Sequence, residues 1–361
     1  MNSYLAPRNF GCRITEFNFM GYSAVALQNE SLRITVLAGK GADLIEFLYK
    51  PVDLDFLWLS YPGLRPAGLP TVGVPDPSGS FLDTYPGGWQ EILPNFGEPC
   101  VHKGASLGLH AEISLLPWQY TILQDDPSCV SVQFSVRCVR TPFALTRVMT
   151  LCPGSVLRLQ EKLVNESSET VDCTWGHHPA LGGAFLDETC RIHVPPCRVK
   201  TPQEYVSPNA RLEKAQDSVW PFVRTRGGEM VDLSIVPPPS QKSHDMAYLY
   251  DLKAGWYAVT NQSRNVGFGM VWDSRLFKYL WFWQVFRGWS GYPWYGMTYN
   301  MALEPCSSYP PSLAQAVESG TQLRLGPGER IETALSAVVF KGISKVGHIT
   351  LDGEVTATGP T

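Results

Sequence analysis

Seven histidines occur in the 361 residues, and two of them stand side by side before a proline in TWGHHPALGG, residues 174–183. Imidazole titrates near neutral pH, so such a doublet suits a metal clip, a catalytic acid beside a structural neighbour, or two ordinary loop residues. In VDCTWGHHP, strand alternation puts Val171, Cys173, Trp175 and His177 on an apolar face and Asp172, Thr174, Gly176 and His178 on a polar one. The residue before a proline is pushed towards extended conformations, so the alternation should run through His178. The two imidazoles are then expected to point in opposite directions. TYNMALEP behaves the same way, with Asn300, Ala302 and Glu304 alternating against Tyr299, Met301 and Leu303, and Glu304 precedes Pro305. In LGLHAEISL, read as a strand, His110 and Glu112 oppose a face of Leu107, Leu109, Ala111, Ile113 and Leu115. Three segments thus each present an ionisable residue on the wetter face: His110, His178 and Glu304. On pattern alone, three unrelated surface residues would read identically.

The elements that must carry these residues are strands. SVQFSVRCV alternates Val132, Phe134, Val136 and Cys138 with Ser131, Gln133, Ser135 and Arg137, and ALTRVMTL and VLRLQEKLV follow it. A three-residue loop at Pro153–Ser155 sets Leu151 opposite Leu157, Met149 opposite Leu159, Arg147 opposite Glu161 and Leu145 opposite Leu163. Further strand patterns occur at ESLRITVLA, LGLHAEISLL, WYAVTNQ, NVGFGMVW and IETALSAVVF, whereas only short pieces such as PSLAQAVES look helical. The fold class is therefore all-β, a large antiparallel β-sandwich with a few short helices, in one domain over residues 1–361. Two stretches break the pattern, the Pro/Gly-dense Ser60 to Cys100 and VPPPSQKS at 236–243. The aromatic end of the first, GGWQEILPNFG, marks it as functional.

Composition excludes several classes. A formal net charge of −4 without any Lys/Arg run offers nothing to a nucleic acid backbone. The N-terminus lacks a signal-peptide pattern and the most apolar run, YLWFWQVF, is too short to span a bilayer, so a soluble cytoplasmic protein with no membrane partner is expected. Nine cysteines without a C-x-x-C suggest neither a disulfide framework nor a zinc knuckle, and most are expected to be buried fillers. Alternation separates the adjacent histidines, which argues against a metal held by His110, Glu112 and the doublet. GASLG at 104–108 matches a nucleophile elbow in letters only, because a strand pattern follows it rather than a helix.

RVMTLCPGSVLRLQEKLVNESSETVDCTWGHHPAL, followed by LEPCSSYPPSLAQAVESGTQLRLGPGERIETALSAVVF, resembles the aldose 1-epimerase (galactose mutarotase-like) family. NESLRITVLAGKGADLIEFLYK resembles that family's opening strands, so the likeness covers most of the chain. The resemblance implies a galactose mutarotase-like supersandwich with a sugar in a concave cleft. It implies Glu304 as general base, His178 as general acid and His110 as a sugar-binding histidine, with Asp251 of AYLYDL holding sugar hydroxyls. The reaction implied is interconversion of α and β anomers through ring opening, with a small-molecule sugar as partner, no metal and no cofactor. A carboxylate with pKa about 4.3 and an imidazole with pKa about 6.5 divide that work.

The sequence departs from the family pattern in two places. H-H-P-A-L-G-G stands where N-H-P-Y-F-N-L is usual, and no arginine upstream of His110 matches the family's sugar-binding one. GGWQEILPNFG occupies that region, which makes Trp89, Gln90, Glu91 and Asn95 the expected substitutes. Gln284 and Arg287 of WFWQVFRGW are further sugar-contact candidates, with Trp281 or Trp283 beneath the ring. Two rival readings keep the fold: a glycoside hydrolase or lyase pairing Glu304 with Glu91 or Glu112, and a non-catalytic carbohydrate-binding protein. Oligomeric state is left open.

Overall fold

Strands with one apolar face bury it against a second such face, and the chain does this on a large scale. The computed structural model describes residues 8–69 and 78–358. An eight-stranded antiparallel sheet stacks on a twelve-stranded one. At the centre of the smaller sheet, Arg330–Lys341, Val156–Asn165, Phe143–Leu151 and Cys129–Arg137 lie side by side. The hairpin register is the expected one, with Arg147 opposite Glu161 and Met149 opposite Leu159. Leu145, Met149, Leu157 and Leu163 are buried in one cluster with Phe47, Trp89, Phe282 and Leu303 of the larger sheet. Burial of each such side chain stabilises the sandwich by about 1.5–3 kcal/mol.

Along the middle of the larger sheet run Trp89–Ile92, Gly176–Leu181, Tyr299–Cys306, Tyr279–Phe286 and Ser243–Tyr250, neighbours in that order. Alternation sorts their side chains between two clusters. Leu280, Phe282 and Phe286 join the main core, while Trp281, Trp283 and Val285 join Ile92, Ala180, Tyr248 and Ala302 on the opposite face. That second face carries the cleft. PSLAQAVES supplies the helix Leu313–Glu318, whose start is capped by Ser312 accepting from the Gln315 N–H.

Three expectations are corrected. LGLHAEISLL is not a strand: extended pairing stops at Leu107, His110 turns with φ +50°, and Ile113–Leu115 forms a 3-10 turn. The cause is polar satisfaction of a buried acid. The Glu112 carboxylate accepts the Val139 and Arg140 N–H groups and the Thr141 hydroxyl, and the Glu112 N–H bonds to the Leu93 carbonyl. VDCTWGHHP is likewise two strands, Val171–Cys173 and Gly176–Leu181, because Thr174 leaves the ladder to bond the Pro94 carbonyl and the Phe96 N–H. Cysteine pairing also occurs: Cys129 and Cys152 form a disulfide, while Cys12, Cys173, Cys190, Cys197 and Cys306 are the buried fillers expected. Among the described residues no helix is long and apolar enough to cross a membrane. The Pro/Gly-dense segment supplies the strand Trp89–Ile92 and a turn carrying Tyr85, and its residues 70–77 lie outside the described residues.

Candidate active site

The Glu304 strand lies between the His178 strand and the Trp283 strand, so three register positions meet at one spot on the cleft face. His178 Nε2 lies 3.5 Å from Glu304 Oε1, and the Tyr85 hydroxyl lies 3.4 Å from His178 Nδ1. His110 stacks edge-on to His178 with ring centroids 5.2 Å apart and is itself wedged against Phe81. Trp283 leans on His178 at 5.6 Å and donates its indole N–H to His244 Nε2 at 3.3 Å. Trp289 stacks on His244 at 4.5 Å, and Trp281, Trp294 and Tyr248 complete an aromatic wall. The cavity measures about 220 Å³, below the roughly 300–1,000 Å³ of ordinary drug-sized pockets, so it suits one small ring.

Polar atoms without protein partners converge here: Glu304 Oε1, His110 Nδ1 and the Trp294 indole N–H. A ligand rich in hydroxyls meets all three needs, since each hydroxyl both donates and accepts. Burial governs the charge. It pushes Glu304 well above the ordinary carboxylate range and His178 down to about 4, and with the neighbouring His178 it holds His110 well below the ordinary imidazole range. The empty dyad therefore holds one proton on Glu304 beside a neutral imidazole. Moving that proton over 3.5 Å converts it into carboxylate and imidazolium without changing net charge. The site can thus give and take a proton in one step.

Residues 20–339 match the family described as a domain of unknown function, DUF4432. The chain belongs to the DUF4432 family. No curated protein matches it. Among solved structures this DUF4432 chain is similar to a candidate aldose 1-epimerase from Klebsiella pneumoniae, with 14% identity, 92% of this chain and 88% of that one covered, and a TM-score of 0.68. It is also similar to a galactose mutarotase-like protein from Clostridium acetobutylicum, with 14% identity, coverage of 92% and 99%, and a TM-score of 0.60. A galactose mutarotase related enzyme from Lactobacillus acidophilus gives 14% identity, coverage of 88% and 97%, and a TM-score of 0.59. At these identities the likeness establishes the galactose mutarotase-like fold.

Of the expected site residues, the DUF4432 chain brings together His110, His178 and Glu304, over Trp281 and Trp283. The other candidates are placed elsewhere. Trp89 and Glu91 pair with Pro179 and His177, hence on the core side of the sheet. The Trp89 N–H donates to His177 Nδ1, and Glu91 binds Arg147 and the Trp175 N–H. Gln90 shares the His178 side but is shut in beside Asp43, its amide donating to the Gly87 carbonyl. Asn95 is buried and holds the loop carbonyls of Gly97, Glu98 and Gly108. Gln284 pairs with Met301 on the core side, and Asp251 and Arg287 sit in exposed turns with φ +55° and +59°. Glu112 is consumed by its loop contacts. Tyr85, Glu98, His244 and Trp294 line the cleft and were not singled out from sequence. Alternation in SHDMAYLY, which puts His244, Met246 and Tyr248 on one face, was the legible signal for His244.

Behind the His178 strand, the DUF4432 core encloses a second polar group. His177 Nε2 lies 3.2 Å from Glu161 Oε2, and Arg147 lies 3.2 Å from Glu91 Oε2. Glu91, Glu161 and His177 present ligand atoms within 4.8 Å of one another, a spacing that would also admit a metal. The donor set does not fit one: Trp89 donates to His177 Nδ1, which leaves the ring proton on Nε2, and Arg147 already supplies the cation. Burial raises Glu161 to about 8 against the pull of Arg147, burial and then the charge of Glu161 raise Glu91 to about 7, and burial lowers His177 to about 4. Carboxyls that bind protons more tightly folded than unfolded stabilise fully below about pH 4 and lose that contribution as pH rises through 7 to 8. His177, held neutral, has the opposite dependence and loses its contribution as pH falls from 6.5 through 4. The melting temperature is therefore expected to fall as pH rises from about 4.5, most steeply between about 6.5 and 8, and to level off above 8, and Glu161→Gln should flatten that fall. Parallel melting profiles for the two proteins would contradict this assignment.

Proposed function

We propose that this protein is an aldose 1-epimerase-like mutarotase, exchanging the α and β anomers of a sugar by ring opening. The observation that carries the reading is the Glu304–His178 dyad, unpartnered towards an aromatic cleft of single-ring size. In the charged form of the dyad, the Glu304 carboxylate takes the proton from the C1 hydroxyl while the His178 imidazolium protonates the ring oxygen, and the C1–O5 bond breaks. The open aldehyde then faces protonated Glu304 and neutral His178, the resting state of the empty site. Rotation about C1–C2 presents the other carbonyl face. Ring closure returns the O5 proton to His178 and the Glu304 proton to the carbonyl oxygen. His110, held neutral, hydrogen-bonds the ring oxygen.

The aromatic wall matches the C–H face of a pyranose, which supports a sugar over a charged planar ligand. The test is anomer exchange followed by NMR: a panel of aldoses should equilibrate faster with the protein than without, and no acceleration of any would refute the reading. The hydrolase alternative loses the carboxylates named for it, because Glu91 and Glu112 face away from the cleft.

Tyr85 enters through His178. Burial keeps its phenol protonated throughout the working pH range, and its hydroxyl oxygen accepts the Nδ1–H of His178, which leaves Nε2 open to take the Glu304 proton and pass it to the ring oxygen. Tyr85→Phe should lower kcat about tenfold with little change in KM, and shift the acid limb of the pH–rate profile. A mere packing role would leave the pH profile unchanged.

A further inference from the structure

The charge of the substrate can be read from the lining of the cleft. Its carboxyl and imidazole groups, among the described residues, are Glu98, Glu304 and the histidines 110, 178 and 244, beside the phenols of Tyr85 and Tyr248 and with no Lys or Arg. Cations that could have served an anionic ligand are engaged elsewhere. Arg147 is sealed in the core with Glu91, Lys103 lies 3.5 Å from Glu169, and Arg287 stands exposed outside the cleft. Arg211 is held by Asp245 at 3.7 Å beneath the floor strand. Residues 1–7, 70–77 and 359–361 contain no Lys, Arg or His side chain either.

Glu98 is fixed at the rim by its backbone. Its N–H bonds to the Pro311 carbonyl at 2.5 Å, and the preceding Gly97 has φ +144° with no room for a Cβ, which would meet the Pro311 oxygen at 2.3 Å. The exposed carboxylate has no cationic partner among the described residues, and its charge reaches Tyr248 in the cleft wall. A phosphate or carboxylate entering here would meet this negative charge without any counterion, whereas a neutral hydroxyl would find an acceptor.

We infer that the cleft takes a sugar bearing no anionic group, and that Glu98 is the residue that sets this preference. The nature of the ligand rests on the mutarotase reading; the charge preference rests on the lining alone. The experiment compares D-glucose and D-galactose with glucose 6-phosphate and glucuronate, as kcat/KM for anomer exchange and as saturation of the tryptophan fluorescence supplied by Trp281, Trp283, Trp289 and Trp294. The neutral sugars should be preferred by about tenfold or more at low salt, and the preference should shrink as salt screens Glu98. Glu98→Gln and Glu98→Lys should raise the anionic-to-neutral ratio stepwise, Glu98→Lys by roughly tenfold. A wild type that favours either anionic sugar, or a ratio unmoved in both variants, overturns the inference. Absence of exchange on every sugar with neutral-selective fluorescence quenching overturns the mutarotase reading and leaves the charge inference standing.

Discussion

Glu304→Gln is expected to slow anomer exchange by about 10²- to 10⁴-fold while leaving the protein folded and at least as stable as the wild type. Both halves follow from burial. Glu304 is enclosed, and burial raises its pKa well above the ordinary range, so the resting side chain is a neutral acid. Glutamine is nearly isosteric with that acid and removes only the ability to ionise. The step that needs ionisation, removal of the C1 hydroxyl proton, then has no base within the dyad, because His178 at 3.5 Å is the acid of the same step. NMR exchange rates and melting temperatures measured on the same preparations check both. Equal exchange rates for the two proteins on every accepted sugar would remove Glu304 from the reaction; a loss of rate accompanied by unfolding would show that its role is packing.

Sequence period was a sound guide wherever a residue sat inside a long ladder. Arg147 opposite Glu161 and the opposed histidines both follow from strict alternation in strands paired on both sides. It failed where polar satisfaction overruled pattern. Leu107–Leu115 has the apolar alternation of a strand, yet Glu112 draws the backbone into a turn to reach the N–H groups of Val139 and Arg140. His110 still arrives at the cleft, placed by that turn rather than by a face of a sheet. Gln284, Trp89 and Glu91 show a second limit: their strands were legible, but which face becomes the cleft depends on where the second sheet packs. Alternation alone would have put Gln284 opposite Trp281 and Trp283, so accepting one excluded the other. Tyr85 and Glu98 were hidden in the Pro/Gly-dense segment, which has no period to read. Their positions depend on contacts across the fold, such as the Glu98 N–H to the Pro311 carbonyl.

The His177–His178 doublet gives the other large effect, an asymmetry between neighbours. His178→Ala should cost about 10²- to 10⁴-fold in catalysis and little stability, because its ring borders a cleft that water can refill. His177→Ala should do the reverse. Its ring is fully buried between the Trp89 N–H and Glu161, so truncation strands a donor and a carboxyl already deprived of one oxygen's partner. Leaving a buried donor or acceptor unsatisfied costs about 1–3 kcal/mol for each group. Because destabilising the strand could displace His178 indirectly, the comparison belongs at a temperature where circular dichroism shows both variants folded. His177→Gln, whose amide can both accept from Trp89 and donate to Glu161, should then recover stability, while His178→Gln should recover no activity because an amide cannot protonate the ring oxygen. Reversal of the two effects would place the cleft on the opposite face of the sheet, and with it the Glu304–His178 dyad would lose its claim to the chemistry.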